Sequence, residues 1–155
     1  MSVNRAHPAD LLQSSVRLCE SQGLKLTTLR HQVLTILCHA EAPLTAYDIL
    51  KELKAVRESV QAMTVYRVLS FFESHHLVHK IASLNTYALC VEPGCSHAAQ
   101  LMICTKCHQV VEVTDPAASA LAEALLKRHG FAYHTHLPME LFGVCAGCQP
   151  QRKCN

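Results

Sequence analysis

The chain has 155 residues, half of them apolar, a formal net charge of +2 and nine cysteines. That length and apolar content make one or two small domains with real cores and exclude a disordered chain. No stretch reaches the run of about eighteen apolar residues that a membrane helix needs, and the N-terminus, MSVNRAHPAD, lacks a charged-then-apolar leader, which predicts a soluble, cytoplasmic protein with no membrane partner.

In a reducing cytoplasm, nine cysteines point to metal ligands and buried thiols rather than a disulfide framework, and an odd number cannot all pair within one chain. Residues 1–84 carry 9 Lys+Arg against 7 Asp+Glu, and residues 85–155 carry 5 against 5. Phosphate contact needs only a local basic cluster, so this balance permits nucleic-acid binding without arguing for it.

Residues 10–22 place Leu12, Val16 and Cys19 on one helical face, with Gly23 where a left-handed cap is expected. After LKLTT, Leu29, Val33, Ile36 and Leu37 repeat at helical spacing behind an N-cap at Thr27 or Thr28, and Pro43 stops the run. Thr45 with Asp48 makes a capping-box variant that opens a third helix, whose predicted buried stripe is Ile49, Leu53 and Val56. A fourth, AMTVYRVLSFFESHH, buries Val65, Val68, Leu69 and Phe72 and leaves Thr64, Tyr66 and Arg67 on its other face. The following LVHKIASLNTYALCV reads as a hairpin turning at Leu84-Asn85.

Helices followed by a hairpin predict a winged helix-turn-helix, in which one helix enters the DNA major groove. Thr64, Tyr66 and Arg67 then read either as a solvated polar face or as a recognition face. Arg can bond guanine through two parallel hydrogen bonds, while Thr and Tyr hydroxyls can hold phosphates. Lys25, Arg30 and Tyr47 pose the same choice. Cys19 and Cys38 lie on or near apolar faces and read as small core residues.

From residue 99 the pattern changes to strands around one helix: AQLMIC, QVVEVT, a helix, then FAYHTHLPMELFGV. Asp115 as N-cap, Pro116 as first helical residue and Gly130 as stop bracket that helix, and Leu121, Leu125 and Leu126 give it an apolar stripe. A domain of about fifty-five residues has a thin core, so a metal clip or a dimer partner is expected to stabilise it.

Cys104-Thr-Lys-Cys107 and Cys145-Ala-Gly-Cys148 supply such a clip. Two pairs at this spacing can surround zinc with four thiolates, each pair forming a knuckle whose backbone amides bond to the sulfurs. A thioredoxin-like redox centre is the competing reading, but such motifs sit singly at a helix N-terminus, and here both pairs follow strands. His79, Cys90, His97 and Glu112 lie near the boundary between the halves. Each alone reads as a surface residue, and together they would suit zinc and could set the angle between the two parts.

These residues carry a wider pattern: a KLT segment opening the second helix, Thr64-Val65-Tyr66-Arg67, LVHK in the wing, YALC at the hinge, and ICTKC with GVCAGC. The chain resembles the ferric-uptake-regulator family of bacterial metal-sensing repressors over nearly its whole length, and looks most like the zinc-uptake regulator branch. The resemblance implies an α+β protein with an N-terminal winged helix-turn-helix DNA-binding domain (1–84), a hinge (85–98) and a small C-terminal α/β dimerisation and zinc-binding domain (99–155). It further implies a homodimer that binds palindromic double-stranded operator DNA and represses zinc-uptake genes when zinc is bound, with two zinc ions per chain.

By that resemblance Cys104, Cys107, Cys145 and Cys148 match the structural zinc site, and His79, Cys90, His97 and Glu112 the regulatory one. Lys25 matches a position reaching toward the minor groove, and Tyr47 and Arg67 positions near the major groove, with Thr64 and Tyr66 beside them. Departures are visible. Thr27-Thr28-Leu29-Arg30 replaces the family's common Thr-Pro-Gln-Arg, so the second helix is expected to start less rigidly. Lys51 and Lys54 stand where some zinc regulators carry an Asp–Arg pair joining neighbouring dimers. The His-His-Asp-His cluster of iron and peroxide sensors is missing before Cys104, which with Cys90 favours zinc. His134 and His136 alternate onto one predicted strand face, and His136 roughly matches a third-site ligand of some relatives. The reading is a regulator, not an enzyme, with no small-molecule substrate. Its alternatives are an iron, manganese or peroxide sensor of the same family and, from another class, a thiol redox enzyme.

Overall fold

The computed structural model describes residues 8–94, 99–134 and 137–150, and the chain divides into two compact units, residues 1–97 and 98–155. The first unit runs α1 (Pro8–Ser21), α2 (Thr28–His39), α3 (Ala46–Val56), α4 (Ala62–Ser74), β1 (Val78–Ile81) and β2 (Thr86–Leu89). Pro8 occupies the first turn of α1, where its missing N–H costs nothing. Thr27 caps α2 by accepting from the Arg30 backbone N–H at 3.4 Å. At α3 the capping box is complete: the Thr45 hydroxyl accepts from the Asp48 N–H at 3.1 Å, and the Asp48 carboxylate accepts from the Thr45 N–H at 3.0 Å. Helix α4 ends at Ser74, short of its predicted end, and His76 beyond it takes the left-handed conformation (φ 54°).

Cys19, Val33, Leu34, Ile49, Leu53, Val65, Leu69, Phe72 and Leu77 are all removed from solvent and join one core. Each large apolar side chain so buried contributes about 1.5–3 kcal/mol against leaving it exposed. Val56, expected in this stripe, is 71 % exposed because it is the last residue of α3, and Ala46, Ile49, Leu50 and Leu53 form the buried face instead. Cys19 and Cys38 sit in the core as expected, and burial raises both thiols, Cys38 to about 11. The hairpin pairs Val78 with Leu89 and Ile81 with Thr86, and Asn85 supplies a left-handed residue (φ 50°) to its turn. Leu44, just before α3, adds a bridge to Tyr87 through two backbone hydrogen bonds of 3.0 and 2.8 Å. The whole is a winged helix.

The second unit is a three-stranded sheet ordered β4-β3-β5, with β3 (Gln100–Cys104) antiparallel to β4 (Val110–Val113) and parallel to β5 (Met139–Gly143). Helix α5 (Pro116–Arg128) carries the chain from one edge strand to the other. Asp115 caps it by accepting from Ala117 and Ala118, and Pro116 is its first residue. Buried Gln100 ties sheet to helix: its amide nitrogen donates to Ser119 Oγ at 2.9 Å and its oxygen accepts from the Asp115 N–H at 2.6 Å.

The α5 stripe finds no cover within this unit, and one expectation, a long last strand, fails. Leu121 and Leu125 of the apolar stripe are 72 % and 52 % exposed, and α5 buries no residue within the chain. The last strand is short: residues 131–134 are not in a strand, and pairing begins only after Pro138, where Met139 N–H donates to Ala99 at 2.8 Å. Pro138 has no N–H to offer a ladder. His134 therefore lies outside any strand, and His136 lies outside the described residues. Among the described residues, no helix is long and apolar enough to cross a membrane.

Candidate metal centres and nucleic-acid face

Cys104 ends β3 and Cys107 closes the turn after it, while Cys145 follows β5 and Cys148 ends a short 3-10 turn (Ala146–Cys148). Because β3 and β5 are neighbours in parallel register, with Cys104 opposite Gly143, both turns emerge at the same end of the sheet. Thr105 N–H donates to the Gly143 carbonyl at 2.8 Å and fastens one turn to the other. His108 is left-handed (φ 58°), which lets the chain reverse so that Cys104 N–H donates to Gln109.

The four sulfurs lie within 4.8 Å of one another, and Cys107 and Cys145 are 3.7 Å apart. A zinc–thiolate bond of about 2.3 Å at tetrahedral angles places sulfurs about 3.8 Å apart, whereas a disulfide needs about 2.05 Å. The residues fit zinc. The N–H groups of Lys106 and Cys145 each approach Cys104 Sγ at 3.4 Å, so the knuckle amides reach the sulfur as the sequence suggested. Backbone N–H groups of Cys145, Cys107 and Lys106 pull the Cys104 thiol down to about 6, while sharing protons with the sulfurs of Cys107 and Cys145 pushes Cys148 up to about 12.

His79 lies on β1 and Cys90 just past β2, where its N–H donates to Leu77 at 3.0 Å. Their ligand atoms are within 4.8 Å of each other, with Cys90 fully buried and His79 nearly so. The pairing explains the proximity, because His79 faces Ala88, two residues before Cys90. Glu112 is on β4 of the second unit, half-buried and opposite Leu101. His97 lies outside the described residues.

On the first unit, Lys25 is exposed in the segment entering α2, and Tyr47 stands 74 % exposed in the first turn of α3. Tyr66 and Arg67 face solvent on α4, opposite its buried Val65, Val68 and Leu69, while Thr64 is half-buried with its N–H on the Gln61 carbonyl. Arg30 differs from these: its guanidinium donates to the Lys25 carbonyl at 2.5 Å and lies 3.4 Å over the Phe71 ring. Sequence reasoning left Arg30 undecided. The missed signal was an Arg five residues from a loop lysine with an aromatic, Phe71, beside the buried face of α4, two helices on.

The model of the ferric uptake regulator family matches residues 21–142. This chain belongs to the ferric uptake regulator family. The zinc uptake regulation protein of Escherichia coli K12 is 30 % identical over 146 residues, covering 94 % of this chain and 85 % of that protein. The ferric uptake regulation protein of Campylobacter jejuni is 31 % identical over 147 residues, covering 92 % and 90 %. Among solved structures, a zinc uptake regulator complexed with zinc and DNA superposes with a TM-score of 0.82 at 30 % identity, covering 93 % of this chain and 96 % of that one. Holo XcZur superposes with 0.76 at 34 % identity, covering 90 % and 96 %. Sequence identity to the E. coli zinc and C. jejuni ferric regulators is thus level, and the choice of metal in this family member falls to its own ligands.

Proposed function

We propose that this protein is a zinc-responsive transcriptional repressor of zinc-uptake genes, a cytoplasmic regulator rather than an enzyme, that binds palindromic operator DNA as a homodimer when zinc is bound. Residues 1–84 form its DNA-binding domain, 85–98 its hinge and 99–155 its dimerisation and zinc-binding domain. Cys104, Cys107, Cys145 and Cys148 hold a structural zinc, which supplies a four-ligand clip to a unit whose own core is thin. His79, Cys90, His97 and Glu112 form the sensing set, giving two zinc ions per chain. Lys25, Tyr47, Thr64, Tyr66 and Arg67 face the DNA, and Arg67 reads bases. The exposed Leu121, Leu125, Phe131 and Phe142 support a dimer through the second unit.

The observation that carries the zinc reading is the buried Cys90 thiol beside His79 in the wing. A soft sulfur with an imidazole suits zinc, whereas oxygen-rich sets suit manganese. The sensing residues come from wing, hinge and second unit, so metal capture there bears on how the two recognition helices of a dimer present themselves to half-sites about 34 Å apart. By linkage, operator DNA must tighten zinc binding at the sensing set by the factor by which zinc tightens DNA binding.

Operator binding by the purified dimer against buffered free zinc, iron and manganese tests the assignment. Zinc alone should switch binding on, and native mass spectrometry at saturation should count two zinc ions per chain. Binding driven by iron or manganese would favour the second reading, that of an iron or manganese sensor, which the identity to ferric regulators supports.

A further inference from the structure

Arg30 ties the segment that enters α2 to helix α4 through polar and stacking contacts. Its guanidinium donates to the Lys25 backbone carbonyl at 2.5 Å and stacks 3.4 Å above the ring of Phe71 on α4. The ring is itself held: Phe71 meets Phe72, a fully buried core residue, at 5.8 Å, and the His75 ring edge-on at 4.5 Å. Gly23 just upstream is left-handed (φ 64°) with open space where a side chain would stand, while Leu24 and Leu26 on either side of Lys25 pack partly against the core and leave the Lys25 carbonyl to Arg30. The Lys25 side chain is exposed on that segment.

We infer that Arg30 is a positioning residue for DNA binding: it fixes the Lys25 backbone against α4, so that the Lys25 ammonium and the Arg67 face are presented as one rigid surface. The inference rests on the proposed reading of Lys25 and Arg67 as DNA contacts. The chemistry favours positioning over direct phosphate contact. A planar guanidinium can stack on an aromatic face while its edge donates to a carbonyl, a combination an ammonium cannot reproduce. With one face on Phe71 and one edge on Lys25, most of its geometry is committed inside the protein.

The test compares zinc-loaded full-length protein carrying Lys25→Ala, Arg30→Lys, Phe71→Leu and Phe71→Tyr for operator affinity at several salt concentrations. Phe71→Leu removes no charge. It should nonetheless weaken binding by about fivefold to tenfold and flatten the salt slope by about one ion, as the loss of one phosphate contact does. Arg30→Lys, which keeps the charge, should show the same loss, and Phe71→Tyr, which keeps the ring, should restore both readouts. Neither Arg30→Lys nor Phe71→Leu should add to Lys25→Ala in the double variants. Hydrogen exchange should show the core helix amides of Phe71→Leu still protected, which separates a loosened tether from a failure to fold. Full affinity and slope in Arg30→Lys and Phe71→Leu, with Lys25→Ala impaired, would overturn the positioning role alone. An unimpaired Lys25→Ala would overturn the reading of Lys25 and the inference with it.

Discussion

The two units reach stability by different routes. The winged helix closes its own core: Phe72, Leu34, Ile49, Leu53 and Leu69 are fully removed from solvent, and three of its helices bury a continuous stripe. Among the described residues the second unit buries only Ala99, Gln100, Leu101, Ile103 and Cys104 along its central strand, and α5 leaves Leu121 and Leu125 in solvent. It carries instead four clustered cysteines at one end and a set of exposed apolar side chains. A metal-regulated protein gains from that division. If the proposed assignment holds, the part that recognises DNA should fold on its own core, and the part that pairs two chains should depend on a metal.

Removing the clip should give the largest effect. Structural zinc sites bind with about 10–16 kcal/mol in small domains, comparable to or larger than the whole stability of a domain at about 5–15 kcal/mol. Cys104→Ser should therefore abolish the cooperative transition of the second unit and the dimer with it, while the winged helix still melts. Cys90→Ser should leave both transitions in place and lose only the zinc response. Differential scanning calorimetry with zinc analysis reads both. If the two variants melted alike, the division between clip and sensing set would be wrong.

The apolar face comes next. Leu121→Glu with Leu125→Glu places charge on residues 72 % and 52 % exposed in the single chain, so the monomer should tolerate it. In a dimer interface an unpaired charge costs several kcal/mol. Sedimentation velocity should show a monomer that retains its cysteine-bound zinc. An unchanged dimer would place the interface elsewhere.

These two differences mark what the sequence could and could not reveal. Helices with a one-sided core were legible because period and caps agree, as at Thr45-Asp48 and along Val65, Val68, Leu69 and Phe72. The cysteine cluster was legible because spacing within each pair is local, and strand pairing across β3 and β5 then brings the pairs together. Val56 misled because periodicity does not say where a helix stops. The α5 stripe was legible as apolar, but an apolar face does not name its partner, which can be another chain. The Leu44–Tyr87 bridge and the Arg30–Phe71 stack involve single residues far apart in sequence, and no period records them.

A core substitution in the winged helix should act on that unit alone. Phe72→Ala removes a fully buried ring, which costs about 3–5 kcal/mol. The first unit should unfold at markedly lower temperature while four-cysteine zinc and dimer persist. Release of that zinc on the same transition would mean that the units do not fold independently.

The smallest effect probes the cap that needs no metal. In the folded protein the Thr45 hydroxyl, then the Thr45 backbone N–H, hold the Asp48 carboxyl below its ordinary value. A carboxylate whose folded pKa is depressed contributes stability that is fully present above its unfolded pKa, about 3.9, and that is lost as pH falls through the lower folded value. Asp48→Asn keeps an oxygen for Thr45 but gives up the charge that accepts both donors and complements the positive N-terminus of α3. Near neutral pH it should cost the first unit about 0.5–1 kcal/mol, the usual scale of a cap. Below the folded pKa the two proteins should converge, because protonation of Asp48 has already removed the charge from the wild-type cap. Urea midpoints of wild type and variant measured from pH 7 downward test this through the first unit, which loses no cysteine-bound metal by the change. A gap that stayed constant into acid would show that the cap acts through hydrogen-bond geometry alone, and a gap that widened would reverse the sign of the linkage.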